Sequence, residues 1–333
     1  MSITMPDPGS RQDYLRRHLT SLWLRPESAL WYAHEAFVVR SMLQTPMRGP
    51  SLEFGCFDGT PSFILLGGEF GLNFDVYSDV LWNRGSVHWQ SLNDDYYNVS
   101  RTASEGIDIV TRAAEKFDVG LSWKAVHLEK AARLNLYGRL VEHDPNTRMA
   151  MFEDHAFETI WAPNLYWVDR LDVALAELRR ILKPGGRLVT VLPDPSVLDH
   201  MLSRFAPVTD ADWIRDLDRG RTENFSRQAR SLDDWTALFS SAGLGVKRHE
   251  WFIPRPVLQV HDVGFRPMFP VFMNMYESLR QHRRREWRAL KEHWIETVYY
   301  FLSPLCETAW MDQMQMERVY HAFELTPRAS VTA

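Results

Sequence analysis

The sequence contains little cysteine, no long apolar run and no excess of positive charge. Its 333 residues include only two cysteines, Cys56 and Cys306, which lie 250 positions apart. A disulfide framework is therefore not expected, and no cysteine–histidine spacing suggests a structural zinc site. The net charge of −5 gives no general electrostatic reason to expect nucleic-acid binding.

Targeting and membrane signals are also missing from the sequence. Its first residues lack the apolar core of a signal peptide. No apolar run approaches the ~18 residues that a membrane-spanning helix needs. We therefore expect a reduced, cytoplasmic protein without a bound metal, a nucleic-acid partner or a membrane span.

The chain is rich in aromatic side chains, with 13 Trp and 18 Phe, and it alternates strand-like and helix-like segments. Strand patterns occur around Glu53 and at 117–122, 139–144, 157–162 and 187–192, and helical patterns occur at 125–136 and 169–182. This alternation predicts an α/β fold with a Rossmann-like, doubly wound, mostly parallel sheet. Most of the aromatic residues are expected to fill its core.

These patterns divide the chain into three predicted regions. Residues 1–47 would form an N-terminal helical cap, because helix spacing recurs from 12 to 45. Residues 48–200 would form the core, with a long insertion at about 67–116. Long connections of this kind are more often functional than accidental. Residues 201–333 would form a mainly helical C-terminal region that contacts an acceptor or a second copy of the chain.

The C-terminal region contains a helical pattern at 277–302 with one apolar face. The apolar residues are Trp287, Leu290, Trp294, Val298 and Phe301, and six basic residues between Arg280 and Lys291 surround them. One interpretation is peripheral contact of 280–291 with an anionic membrane surface, or with a phosphorylated substrate. The favoured interpretation is a solvated helix that packs by its apolar face, or a homodimer contact.

The most informative stretch is 51–60, Ser-Leu-Glu-Phe-Gly-Cys-Phe-Asp-Gly-Thr. A strand pattern here leads directly into a helix-compatible run, and Gly55 and Gly59 stand four residues apart. Glycine permits both a turn with positive φ and the close approach of a ligand to the backbone. Glu53 would repel a nucleotide diphosphate but would hold an ammonium group. The stretch therefore predicts a turn whose backbone lies against a cationic ligand.

Other candidate contacts follow the remaining strands, because ligands bind open parallel sheets at the carboxyl ends of the strands. These positions include Ser122, Trp123, Asp144, Asn164 and Asp194. Acids at 53 and 144 suit a ligand that offers both an ammonium group and an adenine amino group.

In the order of these segments the chain resembles the class I S-adenosylmethionine-dependent methyltransferases. Residues 52–59 are similar to the glycine-rich first motif of that family, and 175–189, with Lys183-Pro-Gly-Gly-Arg187, are the most specific match. Further similar segments are 117–137, 141–144 and 151–160. The resemblance covers roughly 48–195. It implies an enzyme of this class with S-adenosylmethionine as its cofactor.

The resemblance also implies which residues bind the cofactor. The glycine turn would wrap the methionine portion, Asp144 would lie by the adenine, and Asn164 would lie near the transferred methyl group. The implied cofactor-binding residues are Glu53, Gly55, Cys56, Phe57, Asp58, Gly59, Asp79, Ser122, Trp123, Asp144 and Asn164.

Two of these positions depart from the family pattern. Phe57 stands where the middle glycine is expected, so the turn must be wider or Phe57 must point away from the cofactor. Ser122 stands where an acid normally holds the ribose hydroxyls, and Asp79 could supply that acid if the insertion folds back over the site. An alternative register makes 74–79 the second strand. We favour 117–122, because a helix and the third strand follow it immediately.

Aromatic residues near the strand ends and in the insertion are the candidate acceptor contacts, namely Trp89, Tyr96, Tyr97, Tyr166 and Trp167. Methyl transfer is an in-line displacement that needs a base only when the acceptor is a hydroxyl or similar group. Asp194 and His261 are the candidate bases, although Asp194-Pro195 and His261-Asp262 could equally be loop-forming pairs. His155 precedes the fourth strand and is expected at the opposite edge of the sheet.

We therefore expect a methyltransferase that acts on a small-molecule or glycan-like acceptor, at oxygen. A protein or lipid-linked acceptor is an alternative. Two other classes of function stay open at this point. Phe57 and Ser122 suggest a non-catalytic cofactor-binding or scaffold protein. A nicotinamide-dependent oxidoreductase could use the same sheet, but Glu53 and the lack of a three-glycine phosphate loop disfavour it.

Overall fold

The computed structural model describes residues 6–77, 107–205, 212–282 and 286–328. Its helices are α1 (Arg11–Ser21), α2 (Pro26–Leu43), α3 (Thr60–Leu65), α4 (Ala125–Ala132), α5 (Leu171–Ile181), α6 (Asp212–Gln228), α7 (Leu232–Ser241), α8 (Arg255–Gln259), α9 (Phe269–His282), α10 (Trp287–Leu302) and α11 (Ala309–Gln313). Its strands are β1 (Ser51–Phe54), β2 (Glu69–Phe70), β3 (Ile109–Thr111), β4 (Phe117–Ser122), β5 (Tyr137–Glu142), β6 (Phe157–Ala162), β7 (Leu182–Pro193), β8 (Leu244–Trp251) and β9 (Tyr320–Pro327).

Seven strands form one sheet in the order β5-β4-β1-β6-β7-β9-β8, and β2 and β3 form a small antiparallel pair. β9 is antiparallel to both neighbours, whereas the other pairings within the seven-stranded sheet are parallel. The predicted Rossmann-like, mostly parallel sheet is confirmed. β1 has β4 on one side and β6 on the other, so the strand order reverses beside it. Open α/β sheets bind ligands at this point.

Apolar cores lie on both faces of the sheet. One includes residues of the cap helices α1 and α2, and the other includes residues of α5 and α7. Alternate residues of a strand point to opposite faces. In β1, Leu52 and Phe54 belong to the second core, so Glu53 points to the face that the cap covers.

The cap lies beside the glycine turn. Ser10 Oγ accepts a hydrogen bond from the backbone N–H of Asp13 at 3.1 Å, which satisfies a free donor at the start of α1. Pro26 begins α2, where its missing N–H leaves no hydrogen bond unmade. Leu15 and Leu30 are fully buried where the two helices pack together. Because α2 also contacts α3 and β7, it lies next to the turn that precedes α3.

Several boundaries differ from the predicted ones. The helix expected at 125–136 ends at Ala132, because a turn with a left-handed φ of 53° at Asn135 leads into β5, which begins at Tyr137 rather than 139. β7 begins at Leu182 rather than 187. The helical patterns within 12–45 form two helices, α1 and α2, and the second pattern, expected at 29–43, begins earlier, at Pro26. The second strand is 117–122, as we favoured, since β4 pairs with β1.

The buried face of α10 differs from the apolar face expected for 277–302. That pattern spans α9 and α10, with 283–285 outside the described residues. Leu290 and Phe301 are 46% and 67% exposed, whereas Lys291 is fully buried. Its Nζ donates hydrogen bonds to the backbone oxygens of Leu72 and Phe74, at 3.1 and 2.6 Å, and burial lowers its pKa to about 8. Lys291 therefore holds the start of the insertion against α10 and is not available to an anionic membrane surface.

The division into cap, core and C-terminal region stays a prediction. The sheet itself continues beyond residue 200, because β8 and β9 complete it. Within the described part of the chain, no helix has both the length and the apolar character needed to cross a membrane.

Candidate active site

The turn after β1 is held by hydrogen bonds to the ends of the neighbouring strands. The backbone N–H groups of Gly55 and Cys56 both donate to the oxygen of Leu121 at 2.8 Å, and Asn164 Nδ2 donates to the oxygen of Gly55 at 2.9 Å. Gly55 has a φ of 85°. A Cβ at this position would lie 3.3 Å from the ring of Trp123 and 3.4 Å from Asn164 Cβ. Both the backbone conformation and the available space therefore require glycine at 55.

Phe57 adopts the backbone conformation that a glycine would take. Its φ is 46°, a left-handed conformation that costs a residue with a Cβ roughly 1–2 kcal/mol. Its ring lies edge-on to Trp123 and His127, with centroids 5.4 and 5.1 Å away. Such aromatic pairs contribute ~0.5–1.5 kcal/mol each, so the ring contacts offset the backbone strain.

Glu53 lies under this turn with 2% of its surface exposed. Its carboxyl group accepts hydrogen bonds from Ser62 Oγ at 2.6 Å and from Tyr137 OH at 2.8 Å. Burial raises its pKa to about 8, although both hydrogen bonds oppose this change. None of the described lysines and arginines forms an ion pair with it. A positively charged ligand would therefore favour its ionised form.

A cleft opens between the turn and the cap. Its lining comprises His18, Trp31, Tyr32, Glu35, Ala36 and Val39 from α1 and α2, then Glu53, Gly55, Cys56, Phe57, Pro61, Ser62 and Leu65 from β1 to α3, and finally Trp161, Pro163, Asn164 and Tyr166 from β6 and the segment after it. No lysine or arginine is among these described lining residues. Two carboxyl groups and several aromatic rings suit a ligand with positive charge and apolar surface.

The structure brings together part of the predicted site. The predicted cofactor contacts that line the cleft are Glu53, Gly55, Cys56, Phe57 and Asn164. Tyr166 of the predicted acceptor contacts lines it as well, because it follows β6 closely. Its neighbour Trp167 is 40% exposed and does not line the cleft.

The predicted adenosine contacts lie outside the cleft lining. Ser122 is fully buried, and its Oγ has no hydrogen-bond partner among the described residues. Trp123 packs against Gly55. Asp144 is exposed, and its Oδ1 accepts hydrogen bonds from the backbone N–H and the side-chain amide of Asn146, both at 2.9 Å. These bonds lower the pKa of Asp144 and are typical of a turn-forming residue.

Asp58 and Gly59 position α3 and do not line the cleft. Asp58 Oδ1 accepts a hydrogen bond from the backbone N–H of Thr60 at 2.9 Å. Gly59 has a φ of 75°, and a Cβ there would lie 3.0 Å from Tyr137 OH. Because Gly59 has no Cβ, the Tyr137 hydroxyl has room to donate its hydrogen bond to Glu53.

Neither candidate base lines the cleft. Asp194 follows β7, and its Oδ2 lies 3.2 Å from His321 Nε2. His261 Nδ1 lies 2.7 Å from Asp262 Oδ1. The ring of His261 is 5.2 Å from that of Trp31, which does line the cleft. His261 therefore supports the wall of the cleft from behind.

The remaining predicted contacts, Asp79, Trp89, Tyr96 and Tyr97, lie outside the described residues. His155 precedes β6, as expected, and its Nδ1 is 3.0 Å from the backbone oxygen of Leu182.

The cap supplies a part of the cleft that was not predicted from the sequence. Trp31, Tyr32 and Glu35 share one face of α2, because they lie three and four residues apart. Glu35 is partly exposed to the cleft and otherwise enclosed by protein, and this burial raises its pKa to about 8. His18 is 1% exposed, and its ring nitrogens have no hydrogen-bond partner among the described residues. The position of His18 on the leucine-rich face of α1 was the sequence feature that could have indicated a polar group directed into the protein.

Residues 106–190 match a protein-family model described as a methyltransferase domain. The matched segment includes β4, α4, β5, β6 and α5, in the order that the resemblance implied. The chain contains a class I methyltransferase domain. The cofactor of this family is S-adenosylmethionine, so the predicted class and cofactor are confirmed. The matched segment begins after the glycine turn. The geometry of the turn and its cleft is therefore evidence separate from the family match.

Two curated proteins are similar to part of the chain. A dual O-methyltransferase/FAD-dependent monooxygenase of Cercospora nicotianae is 30% identical over 112 residues, and its counterpart of Cercospora beticola is 34% identical over 115 residues. Each match covers 29% of this chain and spans 12% of the relative's length.

Solved structures of methyltransferases are similar to this chain at low sequence identity. A methyltransferase from Thiobacillus denitrificans in complex with S-adenosyl-L-homocysteine is 12% identical, with 88% of this chain and 91% of that chain covered and a TM-score of 0.40.

Proposed function

We propose that this chain is an S-adenosylmethionine-dependent methyltransferase that binds the methionine portion of the cofactor in the cleft and methylates an oxygen of a small-molecule or glycan-like acceptor. The observation that carries the proposal is Glu53, buried beside the glycine turn in a cleft without lysine or arginine among its described lining residues. S-adenosylmethionine has a sulfonium and an ammonium group, and this donor set fits both. The diphosphate of a nicotinamide cofactor does not fit it.

Glu53 would hold the ammonium group of the cofactor. The bonds from Ser62 and Tyr137 fix the orientation of its carboxyl group, and each carboxyl oxygen can accept a further hydrogen bond. The absence of a Cβ at Gly55 would let the ligand approach the turn. The resemblance assigns Ser122, whose Oγ has no hydrogen-bond partner among the described residues, and Trp123 to the adenosine portion. It assigns Asp144 to the adenine, but the bonds from Asn146 argue against that position.

S-adenosylmethionine, when bound, supplies a methyl group on a sulfonium. The chain's own part is to align the acceptor oxygen and to keep water away from it. The aromatic side chains of Trp31, Tyr32 and Tyr166 enclose the cleft between cap and sheet, which supports this role. Methylation at oxygen is supported by the similarity to a dual O-methyltransferase over 29% of the chain.

Calorimetric titration with S-adenosylmethionine and S-adenosylhomocysteine tests the cofactor site. We expect the wild type to bind both ligands, and Gly55→Ala to lose at least about tenfold in affinity, because a Cβ at this φ strains the turn and crowds Trp123 and Asn164. Gly185→Ala is the matched control. Gly185 has a similar φ of 76° but no atom within 4 Å of a Cβ, so this variant should bind like the wild type.

The outcomes of this titration separate the alternatives. If neither ligand binds the wild type, the proposed function is wrong. If both bind but no acceptor is methylated, the chain is a cofactor-binding scaffold. A cytoplasmic location and a homodimer stay predictions, and sedimentation of the purified protein would measure the second.

A further inference from the structure

One end of the cleft has walls made of aromatic rings that support one another. The rings of Trp31 and Tyr166, which line the cleft, are 4.8 and 6.4 Å from the ring of Tyr320, and both contacts are edge-on. Tyr320 is 1% exposed. Phe225 lies behind Tyr166, with ring centroids 5.7 Å apart. Because these rings are packed from behind, the walls offer aromatic surfaces in fixed relative orientations to a ligand.

Glu35 is the carboxyl group at this end of the cleft. Trp31 forms a side-chain hydrogen bond with it. Burial is the main cause of the raised pKa values of Glu53, Tyr166 and Tyr320, and the charge of Glu35 raises them further, so Glu35 lies within electrostatic range of these three groups. His18 of α1 also lines the cleft. The charge of Arg221 opposes the rise in the pKa values of both tyrosines, which burial causes, and Arg221 is paired with Asp262. The surroundings of Glu35 therefore hold a second carboxyl group but no cation among the described lining residues.

We propose that this end of the cleft is the acceptor site, that it takes an uncharged planar ring with a hydroxyl group, and that Glu35 accepts the proton of that hydroxyl. The inference rests on the methyltransferase function proposed above. It narrows the acceptor from small molecules and glycans in general to phenol-like rings.

The proton balance supports a phenol-like acceptor over an aliphatic one. As the acceptor oxygen bonds the methyl carbon, the O–H bond breaks and the proton passes to a carboxylate oxygen of Glu35, while the electron pair of the carbon–sulfur bond stays on sulfur. Burial raises the pKa of Glu35 to about 8, close to the ~10 of a phenol such as tyrosine. Efficient proton transfer needs such a match, and an aliphatic hydroxyl is far less acidic.

The charge of the site excludes anionic acceptors. A ring with a carboxylate or phosphate would meet two carboxyl groups and no lysine or arginine among the described lining residues, and the low dielectric of the cleft makes this repulsion strong. A neutral ring instead gains stacking contacts with Trp31 and Tyr166.

Binding of two probes to the protein loaded with S-adenosylhomocysteine tests the acceptor class. The probes are 2-naphthol and its saturated analogue 2-decalol, measured by calorimetry. We expect naphthol to bind at least about tenfold more tightly. Equal binding, or no binding of either probe, overturns the acceptor class. S-adenosylhomocysteine binding in the same samples would still support the cofactor site, so this failure is distinguishable from failure of the proposed function.

Methylation of 2-naphthol by the wild type and by Glu35→Gln tests the proton transfer. The variant keeps the size of the side chain, and we expect its kcat to fall by roughly 10²–10⁴, with KM and S-adenosylhomocysteine affinity within about threefold. With S-adenosylmethionine saturating at every pH, so that titration of Glu53 does not limit the rate, wild-type kcat/KM for 2-naphthol should rise with pH up to about 8, and the variant should lose this dependence. Glu129→Gln, exposed on α4, is the matched control and should behave like the wild type. An unchanged kcat and pH profile in Glu35→Gln, or naphthol that binds but is never methylated, overturns the role of Glu35.

Discussion

Two groups of titratable side chains, one in the cleft and one behind it, differ in whether their charges are paired. In the cleft, burial raises the pKa values of Glu35 and Glu53 to about 8. Behind the cleft, Asp262 pairs with Arg221 and with His261 Nδ1. Burial opposes ionisation there too, but the charge of Arg221 holds the pKa of Asp262 below its ordinary value.

The difference between the two groups indicates their roles. A buried charge with a partner is a structural element, and removal of one partner is strongly destabilising. Buried carboxyl groups without a cation lower the stability of the free protein, and such groups mark functional sites more often than ordinary positions do. The charges of the group behind the cleft are therefore paired within the protein, whereas the proposed function assigns Glu53 to the ammonium group of the cofactor and Glu35 to the hydroxyl of the acceptor.

The largest effect is expected from the paired group. Asp262→Ala would leave Arg221 buried without its carboxylate, and we expect the free energy of unfolding to fall by about 3–5 kcal/mol. Urea denaturation measures this loss. The control is Asp172→Ala, which removes an exposed ion pair with Arg170 at 3.7 Å and should change stability by less than about 0.5 kcal/mol. A loss in Asp262→Ala no larger than in the control would contradict a structural role for the paired group.

An intermediate effect on stability is expected when Glu53 ionises in the cleft as pH rises. The pKa of Glu53 is about 8 in the folded protein against an ordinary 4.5, so the folded state binds more protons between these values. The free energy of unfolding should then fall as pH rises through this window, by a few kcal/mol. Glu53→Gln should reduce this fall, because a neutral amide cannot ionise. Urea denaturation from pH 5 to pH 8.5 measures it, and an equal pH slope in both proteins would refute the assignment.

For the paired group, the free energy of unfolding should change with pH in the opposite direction. The pKa of Asp262 lies below 3.8, so the stability it contributes is present above that value and is lost as pH falls below it. Asp262→Ala should therefore flatten the acid side of the stability profile and leave the slope between pH 5 and pH 8.5 unchanged.

The smallest effect is expected for Asp144, which belongs to neither group, and it concerns cofactor affinity. Asp144→Ala should change the affinity for S-adenosylmethionine by less than about threefold, because Asp144 is exposed and its Oδ1 already accepts two hydrogen bonds from Asn146. Calorimetric titration beside Glu53→Gln, for which we expect a loss of at least tenfold, would rank the two acids. A tenfold loss in Asp144→Ala would instead support the position by the adenine that the resemblance implies.

The fold was predictable where its signals are local. Strand and helix periodicity placed β1, β4, β6 and α5, and the glycines of the turn identified the ligand end of β1. The actual register of the C-terminal helix was not predictable. Lys291 is buried because the backbone oxygens of Leu72 and Phe74 accept its hydrogen bonds, and no periodicity within α10 encodes partners about 217 positions away.

The candidate site divides in the same way. Glu53 lies near the carboxyl end of β1, and Gly55 and Asn164 follow β1 and β6, so the rule that ligands bind at the carboxyl ends of strands was enough to predict their place beside the cleft. His18 and Glu35 are far from those strands in the sequence, and only the packing of the cap over the turn brings them into the cleft. Asp194 and His261 were chosen by sequence position, yet neither lines the cleft.

The sequence by itself determined the class of fold, the glycine turn with its acid, and the methyltransferase domain, because each depends on residues that are neighbours along the chain. The tertiary structure decided which polar groups share a cavity and which of them are paired. A pKa depends on burial and on charges within a few ångströms, and only the assembled cap, sheet and C-terminal helices fix those distances.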